Sequence, residues 1–418
     1  MASLGRVLLR TVAVGALLLL AGCPAPPPGS AGGPAPKDKA GTTPQHVGLG
    51  AAAGSQSQWG PDDGLVLGSY MSLTGGTATF GQSSNKAMGM AIEEINGTGG
   101  VLGGKRLKLV VEDSASKPEE AANAAQRLVT LKKAVVVVGE VASSCSLAAA
   151  PLLQKAGVPM LTPSSTNPRV TAMGDGVFRS CYTDDQQGAY VAKFALSKGY
   201  KTGVILKDTG ADYSKGLTTV ITERFTKGGG KILATEGYAQ KQPDFNAILT
   251  KIKDLKPDVI FVPGYYEEVG LIIKQARALG IGSALMGGDG WDSPVLAQIA
   301  GAQLDERCFY VNHYSMDDPR PKVQAFVKGF KERYNGEAPD ALAACAYDAI
   351  HIVAQAIERA KSAEPKAIKA ALAQTKGFDG VTGEITIDAQ RNASKSCVVL
   401  TFKAGKQVVA GTIKPSEL

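Results

Sequence analysis

Histidine is scarce in this chain. His46, His313 and His351 fall in a Pro/Gly-rich segment, at a strand end and in a helix. No spacing among them suits a metal site, and none is placed to act as base for a serine nucleophile, so a hydrolase ranks far behind a binding protein. The glycine runs at 99–104 and 228–230 lack the strand–glycine–helix spacing of a phosphate loop and mark turns. No cofactor is expected. No Lys/Arg block or basic–aromatic interleaving occurs, and the formal charge of +7 falls to +5 once Arg6 and Arg10 leave with a removable leader. A nucleic-acid surface is therefore excluded. Beyond the leader, no stretch reads as apolar for long enough to cross a bilayer. Cysteine is limited to six residues, and setting Cys23 aside leaves an odd five: Cys145, Cys181, Cys308, Cys345 and Cys397. At most two pairs can form among them. Because most lie in or beside apolar segments, buried free thiols are expected.

What is present begins with an export signal at residues 1–22. Arg6 and Arg10 precede the apolar run 11–20, and Leu20-Ala21-Gly22-Cys23 is similar to a bacterial lipobox, at which Cys23 would receive lipid. Several acyl chains on one cysteine would give stable membrane attachment. Residues 23–63 are rich in Pro, Gly and Ala and read as a tether.

The remaining residues alternate strand and helix in the rhythm of an α/β fold. Met88, Ala91, Ile92 and Ile95 repeat at helical spacing, which predicts a helix over 84–96 between strands at 65–71 and 107–112. Residues 135–168 hold two short apolar strands, each followed by a hydroxyl-rich turn: Ser143 and Ser144 after the first, Ser164, Ser165 and Thr166 after the second. Parallel strands joined by a helix bring both turns to the carboxyl edge of one sheet, where open α/β sheets bind small ligands. Hydroxyls and unpaired N–H groups there suit a small anion such as a carboxylate. The pattern restarts after Asp184, so two doubly wound lobes are expected. Lobe 1 would comprise 64–184 plus about 313–363, and lobe 2 would comprise 185–312 plus about 364–418. The irregular C-terminal order fits a chain crossing between the lobes through a multi-strand hinge. In the second array, Tyr213, Tyr265 and Asp289 fall in carboxyl-end loops facing the other lobe, while Tyr266 is expected to pack.

Seven segments then carry a resemblance: 71–82 (MSLTGGTATFGQ), 91–107, 143–168, 212–217, 263–268 (PGYYEE), 287–294 (GGDGWDSP) and 380–388. Together they make the chain similar, from about 65 to 409, to the leucine/isoleucine/valine-binding family of periplasmic substrate-binding proteins with the type I fold. The resemblance implies an amino-acid ligand, an ABC transporter permease as partner, a monomer and no enzymatic activity. A sensory protein for amino acids or amide-like solutes is the alternative. It implies that Ser143 and Thr166 hold an α-carboxylate, and that Asp289, the Ser164 carbonyl and the Thr166 hydroxyl hold the α-ammonium. Tyr213 and Tyr265 would close from the second lobe, with Phe80 and Trp291 shaping the side-chain pocket. Phe80 stands where the family often has tyrosine, and Asp289 where some members have glutamate. Ala115 and Ser116 replace a disulfide found near the first lobe's edge in some members.

Overall fold

The computed structural model describes residues 57–418. The leader, the lipobox with Cys23 and most of the tether lie outside the described residues.

Six strands form the first sheet: β1 (Ser57–Trp59), β2 (Leu65–Met71), β3 (Leu107–Asp113), β4 (Val136–Val138), β5 (Met160–Thr162) and β6 (Val177–Arg179), in the order β1-β3-β2-β4-β5-β6. All pairings are parallel except that of β1 with β3. The second sheet takes β7 (Thr202–Asp208), β8 (Lys231–Tyr238), β9 (Val259–Phe261), β10 (Ala284–Gly287) and β11 (Cys308–Asn312). Its order β8-β7-β9-β10-β11 reproduces β3-β2-β4-β5-β6 of the first, so the two halves share one topology. A ribbon of β12 (Phe378–Gly380), β13 (Gly383–Ile387) and β14 (Ala393–Ser394) precedes β15 (Cys397–Lys403) and β16 (Lys406–Ile413), which extend the second sheet, β15 antiparallel to β11 and β16 antiparallel to β15.

Helices cover both faces of each sheet. In the first half, α1 (Ala78–Gly97) lies against α10 (Ala341–Ala360) on one face, and α2 (Pro118–Thr130) and α3 (Ser143–Ala156) lie on the other. In the second half, α4 (Asp184–Ser197) and α5 (Asp212–Lys227) share one face. The opposite face carries α6 (Asn246–Leu255), α7 (Tyr266–Ala278) and α8 (Pro294–Ala300). Strands covered on both faces are apolar throughout, which is why β4 and β9 read as continuous runs rather than alternating ones. Helix α10 is long and apolar enough to span a bilayer, against the sequence reading, but 78% of its apolar window is buried, packed largely against α1. It is a core helix.

The chain crosses between the halves three times: after β6, after β11, and between β14 and β15. Helices α9 (Pro321–Arg333), α10 and α11 (Pro365–Leu372) return to the first half. The expected return to lobe 2 at about 364 falls instead near 395. Lys369 pairs with Asp175 at 2.9 Å, and the Arg391 guanidinium donates to the Val177 and Thr171 carbonyls, which hold this segment on the first sheet. The crossings lie side by side: the Tyr190 hydroxyl donates to the Lys395 carbonyl at 2.7 Å, and Gln186 bonds Ser394 at 3.2 Å. The first crossing leaves from β6, the parallel edge strand of the first sheet.

The expected tether ends early, because Ser57–Trp59 pairs with β3. Trp59 donates its Nε1–H to Asn85 at 3.1 Å, and its ring lies over Gly89, where a Cβ would come within 2.5 Å of ring carbons. Gly89→Ala should therefore lose roughly 1 kcal/mol in urea denaturation, although alanine gains about that much helix propensity. A measured gain in stability would show that Trp59 moves aside freely.

All five described cysteines are buried and free, as expected.

Candidate functional site

In each sheet the strand order reverses direction at its first long parallel strand, β2 in one and β7 in the other. Loops at the carboxyl ends of these strands and their neighbours face the crevice between the halves. One small cavity lies there, lined by Phe80, Val141, Ser164, Thr166, Tyr213, Tyr265, Asp289, Gly290 and Leu342. It therefore gathers six of the residues singled out in the sequence and adds Val141, Gly290 and Leu342. Its volume is about 10 Å³, room for about one water molecule. A larger molecule enters only if the walls move apart.

The first half supplies the hydroxyl wall. Ser164 Oγ is buried without a hydrogen-bond partner among the described residues. The Thr166 carbonyl accepts from the Asp184 amide at 2.8 Å, which fixes the turn against the first crossing. Ser143, expected at the site, stands behind this wall rather than in the cavity lining: it opens α3 and accepts the Asn167 amide on its Oγ at 3.2 Å. Two neighbouring hydroxyls are used within the protein instead. Ser144 donates to the Asp212 carboxylate and accepts the Asp212 amide, both at 3.0 Å, which clasps the two halves together. Ser165 bonds Ser146 at 2.7 Å and the Glu140 carbonyl at 2.8 Å. Neither lines the cavity.

The second half supplies aromatics and one acid. Tyr213 and Tyr265 stack with centroids 5.2 Å apart and planes at 18°, and Phe80 meets Tyr265 edge-on from the other half. The Tyr213 hydroxyl accepts the Gly290 amide at 3.3 Å. Asp289 is buried, and its Oδ2 lies 3.0 Å from His313 Nε2. Trp291 is absent from the cavity wall. Its Nε1–H donates to the Val262 carbonyl at 2.9 Å, and its ring packs beneath Gly287. Tyr266 packs edge-on against Phe80, as expected.

The sequence reading missed Glu140. Its carboxylate accepts from Ser72 and from Ser114 (2.8 Å) on one oxygen and from the Ala142 amide (2.9 Å) on the other. Its carbonyl also receives Thr162 Oγ at 2.7 Å. One buried acid thus ties the loops after β2, β3, β4 and β5. It stands two residues beyond four consecutive valines, at a strand end, a position that marks no role by itself.

A wider groove of about 640 Å³ opens beside the cavity, lined in part by Thr79, Lys86, Asp292, Asp340 and Lys406. Here Asp292 of the second half accepts the Ala341 amide at 2.7 Å, on the same helix start that Asp340 caps through Ala343. Closure therefore sets two carboxylates against one helix N-terminus. Asp340 is pushed up to about 7, first by burial and then by the charge of Asp292. Asp184, neither of whose oxygens has a hydrogen-bond partner among the described residues, is pushed up to about 8 by burial, with the nearby Thr166 side chain opposing the rise and Asp289 adding to it.

These two folded-state values exceed the unfolded one, so the folded chain holds extra protons above about pH 4 and loses stability as pH rises through 7 and 8. Wild type should lose on the order of 2 kcal/mol through Asp184 between pH 6.5 and 8.5. Urea unfolding of Asp184→Asn should show a flatter profile across that window. An unchanged slope would mean that Asp184 is already ionised in the fold.

Residues 65–406 match the family described as "Periplasmic binding protein". A curated "Amino acid binding protein" of Pseudomonas aeruginosa is 35% identical over 310 residues, which cover 72% of this chain and 80% of that protein. Among solved structures, the leucine-binding protein LivK of Thermotoga maritima superposes with a TM-score of 0.81 at 37% identity, covering 85% of this chain and all of that one. The branched-chain amino acid transporter substrate-binding protein LivJ of Streptococcus pneumoniae, in complex with isoleucine, gives a TM-score of 0.79 at 34% identity, covering 84% of this chain and 100% of that one.

Proposed function

As the chain belongs to the periplasmic binding protein family, in its type I leucine/isoleucine/valine-binding branch, we propose that it captures a branched-chain or related amino acid between its halves and delivers it to the permease of an ABC importer. Members of this family are solute-binding proteins rather than enzymes, and they work outside the cytoplasm. Lipid on Cys23 would keep this receptor at the membrane surface, with the segment before β1 as its tether.

One observation carries the reading. One small cavity has on one wall a buried hydroxyl without a partner among the described residues, Ser164 Oγ, and on the other a buried carboxylate, Asp289. A zwitterion buried in protein needs both charges paired and hydrogen-bonded, and such opposed walls meet that need. Ser143, Ser164 and Thr166 would receive the carboxylate end, and Asp289 the ammonium. Phe80, Val141, Tyr265 and Leu342 offer apolar surface to an aliphatic side chain. The closed form, bridged by Ser144–Asp212 and Asp292–Ala341, would be the state the permease distinguishes from the open one.

A thermal-shift screen across the amino acids tests this. A ligand at a hundred times its Kd stabilises by about 2.7 kcal/mol, which for a chain of this size raises Tm by roughly 3–4 °C. Leucine, isoleucine or valine should give such a shift. If no amino acid does, or if the corresponding carboxylic acids lacking the amine do so equally, the reading falls.

A further inference from the structure

His313 is the first residue after β11, where the chain leaves the second half. Its ring stacks on Tyr182, in the segment where the chain leaves the first half, with centroids 3.9 Å apart and planes at 22°. The backbone at this point is held by the Asn312 side chain, which accepts the His313 amide at 2.9 Å and donates its own Nδ2–H to Asp292. One fully buried imidazole thus touches two hinge crossings and, through Nε2, the cavity acid Asp289 at 3.0 Å.

The chemistry of the ring fixes its role. Nδ1 has no partner among the described residues, so a proton there would be buried without an acceptor. The neutral tautomer with its proton on Nε2 satisfies the contact, and Nε2–H then donates to Asp289 Oδ2. A neutral ring brings no counter-charge to Asp289 while it orients one of that residue's oxygens from the hinge.

We propose that His313 is a positioning residue of the binding site, which holds Asp289 aimed at the ligand's ammonium group and links that acid to the hinge. The proposal rests on the amino-acid reading above and assigns a role to a residue outside the cavity wall. Other charged or titratable groups near the ring are Asp292 from the loop after β10, Lys395 from the third crossing and the Tyr182 phenol. Burial holds the imidazole below its ordinary value, with Asp289 opposing that shift. When acid does protonate it, the imidazolium neutralises Asp289 and competes with the ligand's ammonium.

Calorimetry on the whole folded protein tests this with two probes, L-leucine and 4-methylpentanoate, which keeps the carboxylate and side chain but lacks the amine. His313→Leu should weaken leucine about 10- to 100-fold, the loss expected for a hydrogen bond to a charged group, and leave 4-methylpentanoate within about threefold. His313→Gln, whose amide can donate to Asp289, should hold leucine within about threefold at pH 7.5 and abolish the weakening expected of wild type as the pH falls below the ring's lowered value. Equal losses for both probes, or a glutamine variant as impaired as leucine, would overturn the proposal. Should His313→Leu fail to fold, the pH profile of His313→Gln alone decides. If wild type binds neither probe, the amino-acid reading has failed on its own. The pairing is then read from the ¹⁵N signals of the His313 ring: a shift on Asp289→Asn supports it, and no shift refutes it.

Discussion

Replacing Asp289 by alanine should weaken leucine binding by roughly 2–5 kcal/mol, a loss of about 30- to several thousand-fold, because the ligand's ammonium is left desolvated with no counter-charge. The size of the effect follows from burial. Asp289 is almost inaccessible to solvent, so water cannot replace the carboxylate when it is removed. Asp289→Asn should fall between wild type and alanine, since an amide oxygen still accepts a hydrogen bond but carries no charge. Calorimetry would show the loss of affinity, and stopped-flow kinetics would place it mainly in the dissociation rate, as expected when a buried charge partner is truncated. Wild-type affinity in Asp289→Ala would remove this residue from the site and, with it, the argument for a zwitterion. The double variant Asp289→Ala/His313→Leu should be no worse than Asp289→Ala alone, because a positioning residue has nothing left to position.

The two βα arrays were legible because buried helices and strands leave periodic traces over many residues. Helix α1 starts at Ala78 rather than 84 because its first turns are fixed by tertiary contacts rather than by period. Gly81 lies directly on the Ser72 backbone, and Gln82 bonds the Leu73 carbonyl at 2.8 Å. Strand β1 escaped notice because three residues carry no period and follow a Pro/Gly/Ala-rich stretch. Within the site, the hydroxyl turns and Asp289 were placed by counting strand ends, since the parallel topology decides which ends converge. Leu342 could not be placed that way, for it reaches the cavity from α10, after the second crossing. Ser144 and Ser165 show the converse limit. A hydroxyl at the right edge is still free to turn toward a better partner nearby, and the Asp212 carboxylate and the Glu140 carbonyl are such partners. Glu140, Asp184 and His313 owe their importance wholly to neighbours distant in sequence, so no local pattern marks their roles.

Glu140→Ala should be the most damaging substitution for the fold itself, with an expected loss of roughly 3–5 kcal/mol, because it strips the partner from several buried donors at once. The Ser72 and Ser114 hydroxyls and the Ala142 amide all lie in loops sealed from solvent; the hydroxyls, 3.1 Å apart, can bond each other but satisfy only one of their two protons that way, and the amide loses its acceptor. Burial raises the Glu140 carboxyl above its ordinary range, with the bonds from Ser72, Ser114 and Ala142 opposing that rise. A raised folded-state value means that ionisation of this group is a burden on the fold, so its charge is not what stabilises the loops; its acceptor geometry is. Glutamine distinguishes the two. Its carbonyl can face the Ala142 amide while its amide donates to the two serine hydroxyls, which can rotate to accept. Glu140→Gln should therefore stay within about 1.5 kcal/mol of wild type in urea unfolding. Ligand affinity should follow the same order, since Ser143, Ser164 and Thr166 stand on the loops that Glu140 joins. A glutamine variant as unstable as alanine would show that the carboxylate charge, and not the bonding pattern, organises this edge of the first sheet.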